Sequence, residues 1–373
     1  MRIALLHAYR TANRGDGWLV ELSKRLVRDA TGTNPEVYAL DPAGMGPNAH
    51  HVIRNPLRTR AALIAAASTV PGMKPISSRL VNLPNAQDLT AAIGIGGGYL
   101  RCMDPVHEAI LRAHHLPQLD LIAAMGSRGA YLPVSIGPFR PRLGKRVRNA
   151  LGRAAWVCTR DDPSTRYLGA RANSVRIPDL AACMIGVERN APVVGEPGVI
   201  GVALRSLHHS SIGLEAIKQL GERGYTIRFG IQSNVGRTNS DDNFYRSQGI
   251  GDDLCDFGTM LATAPTPSVV IAGRLHGALE AVASGFPTVH LGYERKSDGA
   301  FSDLGLGSWV VDAWGGTATD LVDRVESLVA DPSPYWDQLS ANVDSLAGSW
   351  YRLADMVAGL CGASQAHSVV KSA

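Results

Sequence analysis

Short apolar runs alternate with amphipathic stretches along most of the chain, and this alternation restricts the possible fold more than any other feature. The chain opens with the apolar run "RIALLHAY", the loop "RTANRGDG" and the amphipathic stretch "WLVELSKRLVRDA". A buried strand, a loop and a helix in that order form one β–α unit, and repeated units build a parallel sheet. The sequence therefore predicts an α/β protein.

The alternation occurs in two series, which together are too long for one hydrophobic core. The 373 residues exceed the usual size of a single core, so we expect two domains. We predict two Rossmann-like, doubly wound domains that face a central cleft. Further strands of the first series are predicted at "EVYAL", "AAIGIGG", "LDLIAAMG", "LPVSIGP", "AAWVCTRD" and "SVRIPDL", and those of the second at "VIGVALR", "YTIRFGIQ", "SVVIAGR" and "PTVHLGY".

The predicted domain boundaries follow from the places where the alternation stops. The stretch "GVERNAPVVGEPG" is rich in glycine and proline and has no sustained period, which is typical of a linker. Apolar residues recur at helical spacing near the C-terminus. We predict an N-terminal domain over residues 1–185, a linker over 186–198, a C-terminal domain over 199–333, and a C-terminal helix with a frayed tail over 334–373.

Composition disfavours a disulfide scaffold, a metal protein and a membrane-spanning protein. The five cysteines are an odd number without close spacing, which favours a reducing cytoplasm. The apolar runs are shorter than the roughly 18 residues that cross a bilayer, and the first residues resemble a strand rather than a signal peptide. Three adjacent histidine pairs are interpreted as surface residues, because neighbouring side chains diverge. These pairs are His50 with His51, His114 with His115, and His208 with His209.

A basic segment runs from Arg140 to Arg153, with six Arg or Lys residues and no carboxylate. It is either a solvated helix face or a surface for an anionic ligand, a lipid-linked substrate or a membrane. The segment has no interleaved aromatic residues and no recognisable reader motif, which disfavours nucleic acid as a partner.

Two arginines follow predicted strands of the second domain and indicate an anion site. Arg274 and His276 come directly after "SVVIAG", where a strand end meets a helix N-terminus that attracts negative charge. Arg205 occupies the equivalent place after "VIGVAL". A ligand with both a phosphate and a carboxylate suits two guanidinium groups, and His276 can exchange a proton near neutral pH. Alternatively, either arginine binds a carboxylate of the fold itself.

In the first domain, polar residues and glycines follow predicted strands. "NRGDG" places Asn13, Gly15 and Asp16 after the first strand, where Asp16 either caps the helix or faces the cleft. "GIGGG" includes Gly97 and Gly98, which allow close approach to the backbone, although the spacing matches neither a dinucleotide nor a P-loop motif. Asp241, in "SDDNF", is interpreted as a residue of a solvated loop or a helix cap.

Taken in order, these motifs resemble those of the polysaccharide pyruvyl transferase family. The resemblance covers about residues 2 to 310, and it depends on the order and spacing of the motifs more than on any one of them. A strand ending in Arg205 also fits. The matching segments are Asn13 to Asp16, Gly96 to Leu100, Ser135 to Phe139, Arg160 to Ser164, Pro178 to Asp179, Arg274 to His276, Ala283 to Pro287, and Tyr293 with Lys296.

The resemblance implies a fold and a reaction. The fold is the two-domain GT-B architecture of glycosyltransferases, with the acceptor on the N-terminal domain and the donor on the C-terminal domain. The reaction transfers pyruvate from phosphoenolpyruvate to two hydroxyls of a sugar as a cyclic ketal, and it releases phosphate without a cofactor or metal. The partners would be phosphoenolpyruvate and a sugar or lipid-linked glycan. We expect a cytoplasmic protein with peripheral contact at the inner membrane face.

The resemblance also suggests roles for single residues. Arg205 and Arg274 would hold phosphoenolpyruvate, Lys296 would assist phosphate departure, and His276 would act as the acid. Asp16 would be the base for a sugar hydroxyl. Asn13, Gly97 and Gly98 would complete the substrate contacts.

Two features depart from the family pattern and leave an alternative open. Glu280 stands where many relatives have an apolar residue, and "YERKSDG" replaces the more usual Tyr-Asp-Pro-Lys. The stretch around Glu280 also resembles that of GT-B nucleotide-sugar glycosyltransferases, in which a glutamate binds the nucleotide ribose. The alternative function is therefore glycosyl transfer from a nucleotide sugar.

Overall fold

The chain forms two compact units in the computed structural model. Unit 1 comprises Met1–Thr11, Asp16–Leu180 and Ser349–Ala373, and unit 2 comprises Ala12–Gly15 and Ala181–Gly348. The structure describes residues 1–52, 81–102, 105–169, 171, 173–205, 211–235, 239–251, 253–293 and 295–363.

Unit 1 contains an open sheet in which every pairing is parallel. The strand order is β3-β2-β1-β4-β6-β7-β8, and β5 pairs with β6. All residues of β1 and β6 are buried, as expected for central strands covered on both faces. The strands are β1 (Ile3–Ala8), β2 (Glu36–Ala39), β3 (Ala49–His51), β4 (Ala91–Gly94), β5 (Gly97–Leu100), β6 (Gly129–Ile136), β7 (Trp156–Thr159) and β8 (Ser174–Arg176).

The helices of unit 1 correct one strand prediction. The run "LDLIAAMG" was predicted as a strand, but Leu116–Met125 is an α-helix. An apolar run of this length suits a buried helix as well as a strand, and Leu, Ala and Met favour the helix. The helices are α1 (Arg14–Thr31), α2 (Pro105–Ile110), a π-helical turn (Leu111–His115), α3 (Leu116–Met125), α4 (Pro141–Leu151) and α5 (Asp162–Leu168); α6 (Leu180–Val187) crosses the boundary into unit 2.

Unit 2 contains a second open sheet, again with parallel pairings throughout. The strand order is β13-β10-β9-β14-β15-β16, and β11 and β12 form a separate antiparallel pair. The central strands β9 and β14 are buried along their whole length. The strands are β9 (Val199–Ala203), β10 (Thr226–Ile231), β11 (Asn234–Val235), β12 (Asn239–Ser240), β13 (Leu254–Asp256), β14 (Val269–Ala272), β15 (Thr288–Gly292) and β16 (Val310–Asp312).

In unit 2, a short strand directly precedes one helix, and an aspartate caps that helix. The helix begins at Phe257, immediately after β13, because the Asp256 carboxylate accepts from the Gly258 and Thr259 N–H groups. The helices are α7 (Ser211–Glu222), α8 (Asp241–Ser247), α9 (Phe257–Ala262), α10 (Leu275–Ala283), α11 (Arg295–Asp303), α12 (Ala318–Ala330), α13 (Ser333–Ser340) and α14 (Val343–Cys361).

The predicted linker is bound to unit 2 through its backbone. Asn190 N–H donates to Ala283 O, Val193 N–H to Gly285 O, and Glu196 N–H to Thr266 O, each at 2.8 Å. The division between the units falls after Leu180, and the end of α14 belongs with unit 1. The tail from residue 364, predicted to fray, lies outside the described residues.

Each sheet has a point at which its strand order reverses. In unit 1 the chain adds β2 on one side of β1 and later returns to add β4 on the other side. In unit 2 it adds β10 on one side of β9 and then β14 on the other. Open parallel sheets bind ligands beyond the strand carboxyl ends at this switch point. The predicted α/β class with two doubly wound sheets is confirmed, and the central cleft remains a prediction.

Candidate functional site

The switch point of unit 2 carries both predicted arginines. Ala203 of β9 pairs with Ala272 of β14, and the Gly273 N–H donates to Ala203 O at 2.8 Å. Arg205 and Arg274 each follow these paired alanines by two residues. Neighbouring strands lie about 4.8 Å apart, so the two arginines follow the ends of two strands that are neighbours in the sheet.

The Arg205 guanidinium group is held against an aromatic ring. Its Nη1 donates to the Tyr293 hydroxyl at 2.7 Å, and its Cζ lies 5.1 Å from the centre of the Tyr293 ring. Within the described part of the chain, the buried Arg205 Nε has no hydrogen-bond partner. Buried donors are rarely left unsatisfied, and an anion at this place would satisfy this one.

The Arg274 guanidinium group forms a buried ion pair with Asp241. Nη2 donates to Oδ1 at 2.6 Å and Nε to Oδ2 at 3.2 Å, and the aspartate side chain is 1% exposed. Asp241 Oδ2 also accepts from the Gln232 and Ser233 backbone N–H groups at 3.1 and 2.9 Å. The interpretation of Asp241 as a residue of a solvated loop or a helix cap was therefore wrong, because its buried carboxylate pairs with Arg274 and with two backbone N–H groups. Pairing with a carboxylate of the fold, the alternative for either arginine, is observed for Arg274.

His276 lies in the first turn of α10, where it is half-buried and packs against Gly15. A Cβ atom added to Gly15 would lie 2.7 Å from the His276 Cβ and 3.2 Å from its Nδ1. A side chain at position 15 would therefore displace the imidazole. This close approach accounts for the glycine in the "NRGD" segment.

The segment from Ala12 to Gly15 belongs with unit 2, although we predicted it in the N-terminal domain. Asn13 forms an antiparallel bridge with Ser233, and the Arg14 N–H donates to Gln232 O at 3.1 Å. The segment thus lies beside the ends of β10 and β14. Asn13 is therefore part of the same strand-end region as Arg274.

Gln232 and Ser233 belong to this region and were not singled out from the sequence. The Gln232 carboxamide and the Ser233 hydroxyl are buried without a hydrogen-bond partner among the residues that the structure describes. Gln232 packs on α10, since a Cβ on Gly277 would lie 1.6 Å from its Nε2. Both residues directly follow β10, so the strand-end rule that selected Arg205 also points to them.

The remaining predicted site residues are distributed over both units. Asp16 is in the first turn of α1, where the helix dipole favours a carboxylate, and it belongs to unit 1. Gly97 and Gly98 lie in β5 of unit 1. Gly97 has φ +148°, and a Cβ there would lie 2.8 Å from the Tyr99 ring, so glycine is required. Lys296 is in the first turn of α11, and its side chain lies outside the described residues.

The sequence model of the family described as "Polysaccharide pyruvyl transferase" matches residues 13–295, more than half of the chain. The chain belongs to that family. It is thus a transferase of a family that transfers pyruvyl groups to polysaccharide. The search of curated proteins finds no match.

Solved structures similar to the chain include three with low sequence identity. An α-glucosyltransferase in complex with UDP and a 13-mer DNA is 9% identical, covering 96% of this chain and 99% of its own, with TM-score 0.49. A UDP-GlcNAc 2-epimerase from Neisseria meningitidis is 9% identical, covering 96% and 99%, with TM-score 0.48. The glycosyltransferase SnogD from Streptomyces nogalater is 14% identical, covering 97% and 99%, with TM-score 0.45.

Three of the family motifs converge on one buried network in unit 1. Arg160 pairs with Asp179 at 2.5 Å, with both side chains at most 2% exposed. The Arg160 Nε donates to Ser135 Oγ at 2.9 Å, and Ser135 in turn donates to Asp161. Asp161 caps α5 by accepting from the Ser164 N–H at 2.8 Å. These hydrogen bonds join the carboxyl ends of β6 and β7 to the start of α5, so they fix the position of that helix relative to the two strands.

Glu280, the departure from the family pattern, is paired with Arg14. The Arg14 Nε lies 2.7 and 2.9 Å from the two carboxylate oxygens, and the Glu280 side chain is 16% exposed. An acid at this position is therefore explained by a basic partner within unit 2.

The predicted surface histidines lie in different environments. His51 is exposed, but His115 is 3% exposed and not at the surface, so the interpretation was wrong there. His208 and His209 lie outside the described residues. Across the described ranges, no group of three or more His, Cys, Asp or Glu side chains could hold a metal ion. None of the helices described there is both long and apolar enough to cross a membrane.

Proposed function

We propose that the protein transfers pyruvate from phosphoenolpyruvate to two hydroxyls of one sugar in a glycan or glycolipid, forming a cyclic ketal and releasing phosphate. The observation that supports this is the paired placement of Arg205 and Arg274 at the switch point of unit 2. Phosphoenolpyruvate carries a phosphate and a carboxylate, and each matches the planar fork of a guanidinium group.

The two arginines have different surroundings, which suggests that they contribute differently to binding the donor. Arg205 has a donor without a partner in the described residues and is oriented by the Tyr293 ring. Arg274 is fixed in orientation by Asp241, which also balances its charge. We assign the main anion contact to Arg205 and a supporting contact to Arg274. Lys296 assists the departure of phosphate.

The chemistry follows from a proton transfer to carbon. His276 donates a proton to the methylene carbon of phosphoenolpyruvate, and the central carbon becomes electrophilic. The first sugar hydroxyl adds to that carbon and loses its proton to Asp16. The bond from the carbon to the phosphate oxygen then breaks, and phosphate leaves with the electron pair and takes the proton held by Asp16. The second hydroxyl adds to the carbon and gives its proton to the deprotonated His276. One proton ends in the new methyl group and one on the released phosphate.

The reaction as written uses phosphoenolpyruvate as a donor substrate and requires no cofactor or metal. Asn13 and the backbone at Gly97 and Gly98 supply further substrate contacts in this proposal. The Arg205 site must bind the donor without cancelling the positive charge that develops next to the substrate carboxylate.

The direct test is incubation with isotopically labelled phosphoenolpyruvate and a panel of sugar acceptors. We expect phosphate release in equal amount to a new pyruvate ketal on the acceptor, detected by mass spectrometry. In parallel, phosphoenolpyruvate should raise the melting temperature, whereas UDP and GDP sugars should not, because only ligands of the folded state stabilise it. Turnover of a nucleotide sugar with no ketal product would contradict the proposal and favour glycosyl transfer.

We also propose peripheral contact with an anionic membrane surface through α4. Arg142 and Lys145 of this helix are exposed, as is Arg153 two residues after its end, and all three line a groove of about 480 Å³. Arg148 packs over the Tyr167 ring and is not part of this face. Such a basic face attracts anionic lipid headgroups by about 1 kcal/mol per cation near the surface.

Co-sedimentation with vesicles tests the membrane contact. Replacing Arg142, Lys145 and Arg153 together by Gln should abolish binding to vesicles containing phosphatidylglycerol while transfer to a soluble acceptor is unchanged. Equal sedimentation of the variant and the wild type would contradict the contact.

A further inference from the structure

The switch point of unit 1 carries a chain of hydrogen bonds that the proposed reaction leaves unused. His7 is in β1, Tyr9 directly follows that strand, and His115 ends the π-helical turn before α3. His7 Nδ1 lies 3.1 Å from His115 Nδ1, and His7 Nε2 lies 2.9 Å from the Tyr131 hydroxyl. His115 Nε2 lies 2.8 Å from the Tyr9 hydroxyl. The four side chains therefore form one linear chain, which we name the Tyr–His chain.

The Tyr–His chain runs from the core to one half-buried end. Tyr131 and His7 are fully buried, and His115 is 3% exposed. Tyr9 is the half-buried end, immediately after β1. Open parallel sheets bind ligands beyond the carboxyl ends of their strands, so a ligand of this sheet would meet the Tyr9 hydroxyl first.

The backbone around the Tyr–His chain is unusual at two places. His7 has φ 71°, in the region that favours glycine, although it is buried within a central strand. Its N–H donates to Gln118 Oε1 at 2.6 Å, which helps to hold this conformation. Leu111–His115 is a π-helical turn, a form found mostly at functional sites. Strained backbone of this kind persists where the surroundings determine it, and it clusters at ligand and active sites.

The Tyr–His chain carries no charge near neutral pH. Burial lowers the pKa of His7 to about 3 and lowers that of His115 well below its ordinary value. Burial and then the Asp16 carboxylate raise the pKa of Tyr9, while Arg101 and Arg10 lower it. The chain therefore suits neither the binding of an anion nor the storage of a proton.

The uncharged Tyr–His chain can have its hydrogen bonds in either direction. Each neutral imidazole has one N–H and one lone pair, and each hydroxyl both donates and accepts. When Tyr9 donates to His115, its oxygen can accept from a ligand. When His115 donates to Tyr9, the Tyr9 O–H can donate to the ligand instead. A sugar hydroxyl is likewise donor and acceptor, whereas phosphate and carboxylate groups mainly accept.

We propose that the strand ends of unit 1 bind an uncharged sugar of the acceptor and that the Tyr9 hydroxyl contacts one of its hydroxyls. His115, His7 and Tyr131 are positioning residues behind this contact. The inference rests on the proposed function, because that function makes a sugar the second substrate. Asp16, the proposed base, lies in the first turn of α1, which follows β1 and Tyr9 in the chain.

The test compares Tyr9→Phe with the wild type and with a matched control. Tyr38→Phe is the control, since Tyr38 is a tyrosine of β2 whose hydroxyl donates to Glu36 outside the Tyr–His chain. Loss of one hydrogen bond should raise the acceptor KM about 2- to 13-fold in Tyr9→Phe, with the KM for phosphoenolpyruvate unchanged. His115→Gln should also raise the acceptor KM. An unchanged acceptor KM in Tyr9→Phe would overturn the proposal.

A binding measurement separates this inference from the proposed reaction. Titration calorimetry with the methyl glycosides of glucose, galactose, mannose and N-acetylglucosamine needs no pyruvyl transfer. Binding to the wild type that weakens by a similar factor in Tyr9→Phe, but not in Tyr38→Phe, supports the site even where phosphoenolpyruvate is not turned over. Binding of none of the four sugars, or equal binding to wild type and Tyr9→Phe, would overturn it.

Discussion

The two sheets have the same kind of switch point but place opposite chemistry there. In unit 2 the strand ends carry the guanidinium groups of Arg205 and Arg274, and a carboxylate fixes one of them. In unit 1 the strand ends carry the uncharged Tyr–His chain. The shared topology provides the location of a site, and the side chains at the strand ends determine whether it suits an anion or a neutral hydroxyl. A reaction between an anionic donor and a sugar needs one of each.

Loss of the proposed acid should have the largest effect on catalysis. In His276→Ala we expect kcat to fall by about 10²- to 10⁴-fold, because a general acid typically contributes that factor. Binding of phosphoenolpyruvate should stay within about tenfold, equivalent to 1.4 kcal/mol. Steady-state rates and calorimetry on the same preparation measure both. Full turnover in this variant would show that His276 is not the acid. The strand ends of unit 2 would then differ from those of unit 1 in charge but would not supply the proton.

Each unit contains a buried Arg–Asp pair, and this allows a matched comparison. Asp241→Asn and Asp179→Asn each leave a buried arginine without its counter-charge, so each should lower the free energy of unfolding by about 3–5 kcal/mol. Only Asp241→Asn should also raise the KM for phosphoenolpyruvate, because only its partner, Arg274, lies at the donor site. Urea titrations and kinetics at low temperature measure the two effects. An equal rise of KM in both variants would indicate a general loss of folding.

Loss of the anion contact of Arg205 should have an intermediate effect on the binding of phosphoenolpyruvate. In Arg205→Gln we expect the KM for phosphoenolpyruvate to rise about 10- to 100-fold, since hydrogen bonds to charged groups contribute about 1.5–3 kcal/mol. The acceptor KM should be unchanged. Arg223→Gln is the control, because Arg223 pairs with Glu326 at the surface of the same unit. If Arg223→Gln raised the KM for phosphoenolpyruvate as much as Arg205→Gln, the placement of the anion site would be wrong.

The uncharged state of the histidines in unit 1 should appear as a dependence of stability on pH. Burial lowers the pKa of His7 to about 3 and that of His114, which is also near Arg10, to about 4. The unfolded histidines bind protons below about pH 6.5. The free energy of unfolding should therefore fall as the pH drops from about 6.5, by about 1.4 kcal/mol per pH unit for each such histidine, and should not change from this cause at higher pH.

Urea titrations between pH 5 and pH 8 measure this dependence. His115→Gln should reduce the slope below pH 6, because its pKa is also lowered by burial, whereas His51→Gln at the exposed surface should leave the slope unaltered. The same slope in His115→Gln and the wild type would mean that His115 titrates in the folded protein, and the Tyr–His chain would then be charged.

Local patterns predicted most of the sheet, and longer-range packing accounts for what they missed. Apolar runs located the central strands because buried parallel strands are continuously apolar. The same signal failed at Leu119 to Gly126, where a buried helix has an equally apolar sequence. It also failed at β13, whose three residues are too few to show a period.

The site was predictable where it follows from a strand end and not where it depends on distant pairing. Arg205 and Arg274 were found because each directly follows an apolar run, and Gln232 could have been found by the same rule. The partner of Arg274, Asp241, is 33 residues away in sequence, and the two histidines of the Tyr–His chain are 108 residues apart. No local sequence pattern links such residues. The burial of the Arg274–Asp241 pair and the uncharged state of the two histidines therefore could not be predicted from the sequence.

The most direct measurement of the central claim is the binding of phosphoenolpyruvate to three proteins by titration calorimetry: the wild type, Arg205→Gln and Tyr9→Phe. Phosphoenolpyruvate should bind saturably to the wild type, bind to Tyr9→Phe with the same Kd, and bind to Arg205→Gln at least about tenfold more weakly. Absence of binding to the wild type, or equal binding to the wild type and Arg205→Gln, would contradict it.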